Sequence, residues 1–438
     1  MTGLPAGWVE ARLDEIAEVK LGRQRSPANH MGARMRPYLR AANVTWSGLD
    51  LSDVKEMAFT ETESGVFELR SGDILVAEAS GSASEVGKPA IWKGEIDGCC
   101  LQNTLLRVRS AGPDPEYLHY FLLAEALTGK FGDASRGVGI HHIGAARLSS
   151  WPTPVPPLAE QRRIVAAVEE QVSRLDSATP SLSRARARLA SLRLAAIEDA
   201  LSGDWEMTTL GEIADLAGGV TKDAKRERED GLVEVPYLRV ANVQRGYLDL
   251  TDVSTIRVPV GKARALELMP GDVLFNEGGD RDKLGRGWVW SGEIPGCIHQ
   301  NHVFRARLHP GFDPRFVSWH GNSFGRRWFL DNGRQTTNLA SISLSALKRF
   351  PIPCPPLAEQ RDIVGEIEKR LSLIDAMSTE IAAAERRASL LRQSILREAF
   401  AGLLVPQDPA DEPASVLLER IREERECAPG RSTRSSPV

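Results

Sequence analysis

Arg334, Gln335, Thr336, Thr337 and Asn338 form an unbroken run of side chains, each able to donate a hydrogen bond. Such a run could clasp a phosphate through its arginine and address base edges through its amides. Arg and Lys neutralise phosphate, whereas Asn and Gln can pair bidentately with a base. Two more loops of the same half carry similar chemistry: Thr221, Lys222 and Lys225 after Gly218-Gly219, and Arg281, Lys283 and Arg286 among the glycines of 276–288. The first half has its own three sets: Arg23, Gln24 and Arg25; Ser80, Ser82 and Lys88; Arg136, His141 and His142. Solvated loop polarity would read the same way residue by residue, and the charge run 222–230 is most open to that reading. Recurrence of the loop positions argues for binding, with Arg136, Arg334, Gln335 and Asn338 weighted highest.

Catalytic signatures are missing. The Asn-Pro-Pro or Asp-Pro-Pro run of amino-methyltransferases does not occur, nor does a Walker A loop. Gly137-x-Gly139 lacks the third glycine of a dinucleotide fingerprint. Glu18-Val19-Lys20 imitates the end of a nuclease motif without further acidic ligands. His299-x-x-His302 has the spacing of a metal pair, but the corresponding positions of the first half are Leu101 and Thr104, so two strand-flanking histidines are the better reading. The chain reads as non-catalytic, with no metal and no cofactor of its own.

The elements that must position these loops occur twice. Pro156-Pro157-Leu158-Ala159-Glu160-Gln161-Arg162 returns unchanged as Pro355-Pro356-Leu357-Ala358-Glu359-Gln360-Arg361. Each copy follows a stretch of strands and turns and opens a long helical pattern, so the chain is two tandem copies of one unit. Other anchors repeat in register. Trp8 returns as Trp205, Leu13 to Ala17 as Leu210 to Ala214, and Tyr38, Arg40 and Asn43 as Tyr237, Arg239 and Asn242. Gly72-Asp73 returns as Gly271-Asp272, Trp92 as Trp290, and Gln102-Asn103 as Gln300-Asn301. Identity of Tyr38, Arg40 and Asn43 across copies whose loops differ favours a structural role for them over base readout.

Residues 1–156 and 204–355 are thus expected as two mixed α/β globules, 157–203 and 356–403 as helical spacers, and 404–438 as a tail. Spacing predicts a helix over Pro115–Leu127. Val168, Val172, Leu175, Leu182 and Leu189 lie on a heptad seam; Ile363, Val364, Ile367, Leu371, Ile374, Ile381 and Leu391 supply the second stripe. Pro180 predicts a kink or break near Thr179, whereas Thr379 at the equivalent place predicts a continuous helix. Gly203 and Gly402 are expected C-terminal stops. Val416, Leu417, Leu418 and Ile421 form a short amphipathic segment in the tail. Packed antiparallel, the two spacers would relate the halves by a pseudo-two-fold axis, a geometry suited to two separated half-sites on a duplex.

Bulk composition agrees. The sequence has 438 residues, 42% hydrophobic and 26% charged, with a net charge of −4. That is globular composition for two or more domains, and it does not by itself advertise a nucleic-acid ligand, since only the facing surface must be basic. The five cysteines form no C-x-x-C pair, which suits buried free thiols. No apolar run of membrane-spanning length is present, so a soluble, cytoplasmic protein is expected.

The chain resembles the specificity subunit of Type I restriction–modification systems over essentially its whole length. The residues carrying the resemblance are the duplicated Pro-Pro-Leu-Ala-Glu-Gln-Arg with Ile164-Val165 and Ile363-Val364 after it, and Leu391 to Leu396 with Ala399-Phe400-Ala401-Gly402. The Gly-Asp-Ile/Val-Leu turns and Gln335-Thr336-Thr337-Asn338 add to it. The resemblance implies two target-recognition domains joined by two long antiparallel coiled-coil helices, each domain reading half of a bipartite asymmetric DNA site. It implies two methyltransferase subunits docked on the helical regions, with Leu158, Ile164, Leu357 and Ile363 as candidate contacts, and motor–nuclease subunits joining them. S-adenosylmethionine, ATP and magnesium would then belong to those partners. Pro180 departs from the family's unbroken helix. A specificity chain with its own catalytic activity, or a coiled-coil scaffold binding something other than DNA, are the alternative readings.

Overall fold

The computed structural model describes residues 3–26, 31–32, 34–134, 141–223, 230–279, 283–335 and 340–427. The chain divides into two compact units, one made of 1–182 with 383–438 and the other of 183–382.

Each unit is built on a four-stranded antiparallel sheet. In the first, β1 (Ala17–Leu21), β2 (Ile74–Ala77), β3 (Pro89–Ile91) and β4 (Leu105–Ser110) lie in the order β1-β4-β2-β3. Helix α1 (Pro115–Leu127) follows β4, with the bounds that the spacing predicts. The long helix α2 runs from Leu158 to Ala200. The second unit repeats the sheet as β5 (Ala214–Ala217), β6 (Val273–Asn276), β7 (Gly287–Val289) and β8 (Val303–Leu308), again ordered first, fourth, second, third. Helix α3 (Pro314–Asn322) follows β8, and the long helix α4 runs from Leu357 to Phe400. A last helix, α5, spans Ala414–Cys427. The segment Leu13–Ile16 is a short helix between Val9–Arg12 and β1.

A smaller three-stranded sheet completes each globule. Met35–Leu39 lies between Lys55–Ala58, antiparallel, and Cys100–Leu101, parallel. Leu232–Leu238 is likewise flanked by Ser254–Pro259 and Ile298–His299. A two-stranded ribbon ties each globule's start to its end: Val9–Arg12 pairs with Pro152–Val155, and Met207–Thr209 with Pro351–Pro353. These ribbons deliver the chain to the repeated proline pair.

The repeated motif begins each long helix through its glutamine. Gln161 and Gln360 are 0% and 1% exposed. The Gln161 carbonyl oxygen accepts from the Asp114 amide at 2.7 Å, and its side-chain amide donates to Pro156 O at 2.9 Å. Gln360 does the same with Asp313, at 2.8 Å, and Pro355 O, also at 2.8 Å. Asp114 and Asp313 in turn cap α1 and α3, accepting from Glu116 and Tyr117 and from Arg315 and Phe316. One buried glutamine therefore joins the cap of the globule's helix to the start of the spacer, satisfying polar groups that would otherwise be stranded.

The long helices pack antiparallel within each unit. In the first, Ile164 and Val168 of α2 share a core with Ile395, Leu396 and Ala399 of α4, and Asp176 pairs with Arg392. In the second, Ile197 and Leu201 meet Val364, Ile367 and Leu371. Arg193 pairs with Asp375, and Asp199 with Arg370 at 2.6 Å.

Three sequence expectations are corrected here. Of the kink or break expected near Thr179, the break does not occur: α2 runs helical through Pro180, an exposed residue. The lost hydrogen bond thus falls on a solvent-facing turn. Leu391 is 51% exposed, and Ile395 and Leu396 take the buried positions, because a 3.6-residue helix drifts off a strict heptad. Gly402 ends α4 with a left-handed φ of +70°, but Gly203 has no such φ and lies against Trp205, where any Cβ would collide with the indole.

The tail helix α5 docks on the first globule. Leu417, Leu418 and Ile421 are buried in its core, Arg425 donates to Asp14 O at 2.6 Å, and Ala414 N donates to Gly7 O at 3.0 Å.

Candidate nucleic-acid interface

The first polar loop leaves the sheet at a glycine in each copy. A Cβ on Gly22 would lie 2.3 Å from Gln102 O, and one on Gly219 only 2.0 Å from His299 O. Only glycine allows that approach. The next residues form parallel bridges, Arg23 to Gln102 and Val220 to Gln300. Gln24, Arg25, Thr221 and Lys222 then stand exposed.

The second and third loops are joined by short strands. In the first unit, His141–His142 pairs antiparallel with Ala79–Ser80. In the second, Ala340–Ser341 pairs with both Gly278–Gly279 and Arg334–Gln335. Each junction is fixed by one backbone bond, Ile143 N to Glu78 O at 2.9 Å and Ile342 N to Glu277 O at 2.8 Å. Loops separated by some fifty residues or more in sequence are thus brought together in each unit. Arg334 is exposed there. His142 faces Glu78 at 3.3 Å, and His302 faces Glu277 at 2.6 Å.

Arg23 and Lys88, expected at this surface, are engaged within the globule instead. Arg23 pairs with Glu63 at 2.8 Å, donates to Ala58 O at 2.5 Å and stacks on Phe59. Lys88 pairs with Glu85 at 2.5 Å and lies over the Trp46 ring, whose N–H also donates to Glu85. A half-buried cation needs such partners. Lys283 and Arg286 are half-buried, and Arg286 donates to the Gln244 side chain at 2.9 Å. Arg136, Lys225, Arg281, Thr336, Thr337 and Asn338 lie outside the described residues. Among the candidate partner contacts, Ile164 is 1% exposed in the first core, so it packs and cannot dock. Ile363 packs against the second core, and Leu158 and Leu357 are half-buried.

The repeated Arg and Asn build one hairpin in each copy. Asn43 donates to Asp50 O and Asp53 O and accepts from Arg40 N, while Arg40 pairs with Asp53 at 2.7 Å. Asn242, Asp249, Asp252 and Arg239 make the same set. The tips between these anchors have nothing in common: Trp46-Ser47-Gly48 in one copy, Arg245-Gly246-Tyr247 in the other. Sequence reading passed over them, although unlike residues bracketed by an identical frame were the signal.

The remaining ionisable candidates serve the fold. Glu18 pairs with buried Arg107 at 2.8 Å. His299 is buried against Val303 O at 2.6 Å, and burial holds its ring down at about 4. Burial also pushes the Cys99 and Cys297 thiols up to about 12. Among the described residues, no group of three or more His, Cys, Asp or Glu side chains is placed to hold a metal. No helix among them is long and apolar enough to cross a membrane.

Comparison with known proteins draws on the whole chain. Residues 5–179 match the Type I restriction modification DNA specificity domain. The StySPI specificity subunit of Salmonella potsdam is 26% identical over 98% of each chain. The EcoKI specificity subunit of Escherichia coli K12 is 24% identical over 98% of this chain and 97% of its own. The fold matches a chain solved in a study of complex assembly and conformational transition of the type I R-M system, with a TM-score of 0.72, 21% identity, and coverage of 92% of this chain and 100% of that one. It also matches the HsdS subunit from Thermoanaerobacter tengcongensis, with a TM-score of 0.52, 20% identity, and coverage of 91% and 98%. A matched specificity domain, a second copy built on the same frame and likeness running the full length lead to one conclusion: the chain is similar throughout to the specificity subunits of Type I restriction–modification systems.

Proposed function

We propose that each globule reads one half of a bipartite, asymmetric DNA sequence, and that α2 and α4 set the spacing and dock methyltransferase subunits. The observation that carries this reading is a contrast between the copies. The frame is held in common through Gln161 and Gln360, Asp73 and Asp272, and Asn43 and Asn242, whereas the joined polar loops differ. A shared scaffold bearing unlike donors is what two different half-sites require.

The chain's part is binding and not bond-making. Exposed Arg25, Lys222 and Arg334 are suited to phosphate; Gln24, Thr221 and Gln335, with Thr336, Thr337 and Asn338, are suited to base edges. Two methyltransferase subunits bring S-adenosylmethionine, and motor–nuclease subunits bring ATP and magnesium. Co-expression with the cognate methyltransferase subunit, followed by single-molecule sequencing of the host genome, tests the reading. Adenine methylation at one bipartite motif is expected, and exchanging residues 204–355 for another such domain should change only one half of it. A soluble, assembled complex that modifies no bipartite motif would refute it.

A further inference from the structure

Tyr247 is 57% exposed at the tip of a hairpin that is otherwise held fast. Its neighbours are tied down one by one. Gln244 accepts from Arg286 at 2.9 Å. Arg245 donates to Asn322 O at 2.9 Å. Gly246 N donates to Gly287 O at 3.4 Å. A Cβ on Gly246 would lie 3.2 Å from Trp319, whose ring meets Trp288 edge-on at 4.9 Å. The tip rests on an aromatic floor, with Asn242 anchored behind it.

The same hairpin in the first unit is finished differently. Its aromatic, Trp46, is turned inward against Lys88 and Glu85, and Gly48 stands where Tyr247 does. The left-handed glycine moves too, from Gly48 at φ +112° to Gly246 at φ +84°, one position earlier in the alignment of the copies. Both tips are nevertheless bolted to the second polar loop, through Trp46–Glu85 in one unit and Gln244–Arg286 in the other. An identical frame, a divergent tip and a fixed link to a candidate reading loop describe a fourth variable element. A rigid aromatic presented from a supported turn is an economical contact, because little freedom is lost on binding.

We infer that Tyr247 is a DNA-contacting, specificity-determining residue of the second domain, working beside the loop of Arg286. Its ring would pack on a sugar or thymine methyl at one end of the second half-site, and its hydroxyl would donate to a phosphate oxygen. The inference rests on the DNA-reading function proposed above. The test uses the complete chain assembled with its methyltransferase subunits and a plasmid carrying the motif that the wild-type complex modifies. Y247A should lower the methylation rate by about tenfold, or relax one position of the second half, with the first half unchanged. Y247F should retain part of the rate, through the ring. A Y247A complex that assembles and melts as wild type, and methylates the same motif at a rate within about twofold, would overturn the inference alone. A wild-type complex without any bipartite motif would remove the underlying reading, and this inference with it.

Discussion

The side-chain oxygen of Gln161 lies 2.7 Å from the backbone N–H of Asp114, the residue that caps α1. Gln360 and Asp313 stand in the same relation at 2.8 Å. The motif that is repeated without change is therefore a structural joint. Replacing Gln161 by Ala strands the Asp114 amide and the Pro156 carbonyl, at a cost of about 1–3 kcal/mol. A chain with more than one compact unit has no single unfolding free energy, so the measurement is local. Hydrogen exchange at Asp114 should accelerate in Q161A while Asp313 stays protected, and the reverse should hold in Q360A.

The tail helix gives a prediction confined to the first unit. Leu418 and Ile421 are 8% and 3% exposed in its core, and truncating a buried leucine or isoleucine typically costs about 2–5 kcal/mol. L418A and I421A should raise exchange and proteolysis in residues 1–156, with peptides from 204–355 unaffected. Equal loosening of both globules would contradict the docking.

Acid should affect the two units unequally. His299 and His320 of the second unit are each held down at about 4 by burial, against an ordinary value near 6.5. As pH drops below about 6.5, the unfolded chain takes up protons that the folded rings refuse, so stability falls through the window down to about 4 and is level above it. Among the described residues, the first unit has one such ring, His119. Urea unfolding at pH 7 and pH 5, followed by exchange in peptides of each unit, should show the larger loss in the second, and H320Q should reduce it.

Arg334 and Arg23 should separate binding from folding. R334A removes an exposed cation, so it should leave the melting temperature unchanged, weaken DNA binding and reduce the salt dependence by about one counterion. R23A removes the Glu63 pair and the stack on Phe59. It should lower the melting temperature first, which differential scanning fluorimetry would detect.

What could be read in the residues differed from element to element. The duplication, α1 and both spacers were legible because repeated identity and helical spacing are local properties. The seam of α4 was legible at Ile367 and Leu371 but not at Leu391, where the drift between helix and heptad had accumulated. The amphipathic stripe of the tail announced a buried face, yet not the globule it covers, since its partner lies about four hundred residues away. Arg23 and Lys88 looked available because a loop cation's partners, Glu63 and Glu85, are set by folding and not by adjacency. The hairpin tip was hidden for the opposite reason: attention to what repeats passes over the short stretch that does not.

The interleaving of the two units has a consequence for synthesis. The second unit is one continuous segment, 183–382, whereas the first needs 383–438 to join 1–182. As the ribosome proceeds, the later-made globule has all its own residues before the earlier one does. The first is left without the α4 segment bearing Ile395 and without the tail helix bearing Ile421 until those later residues are made. Its closing contacts are of very long sequence separation, so its maturation should be the slow step. A nascent chain halted between the two should carry a finished second unit and an unsealed first, a state in which Val168 and Phe121, which meets Phe400 of α4, lie open to a chaperone.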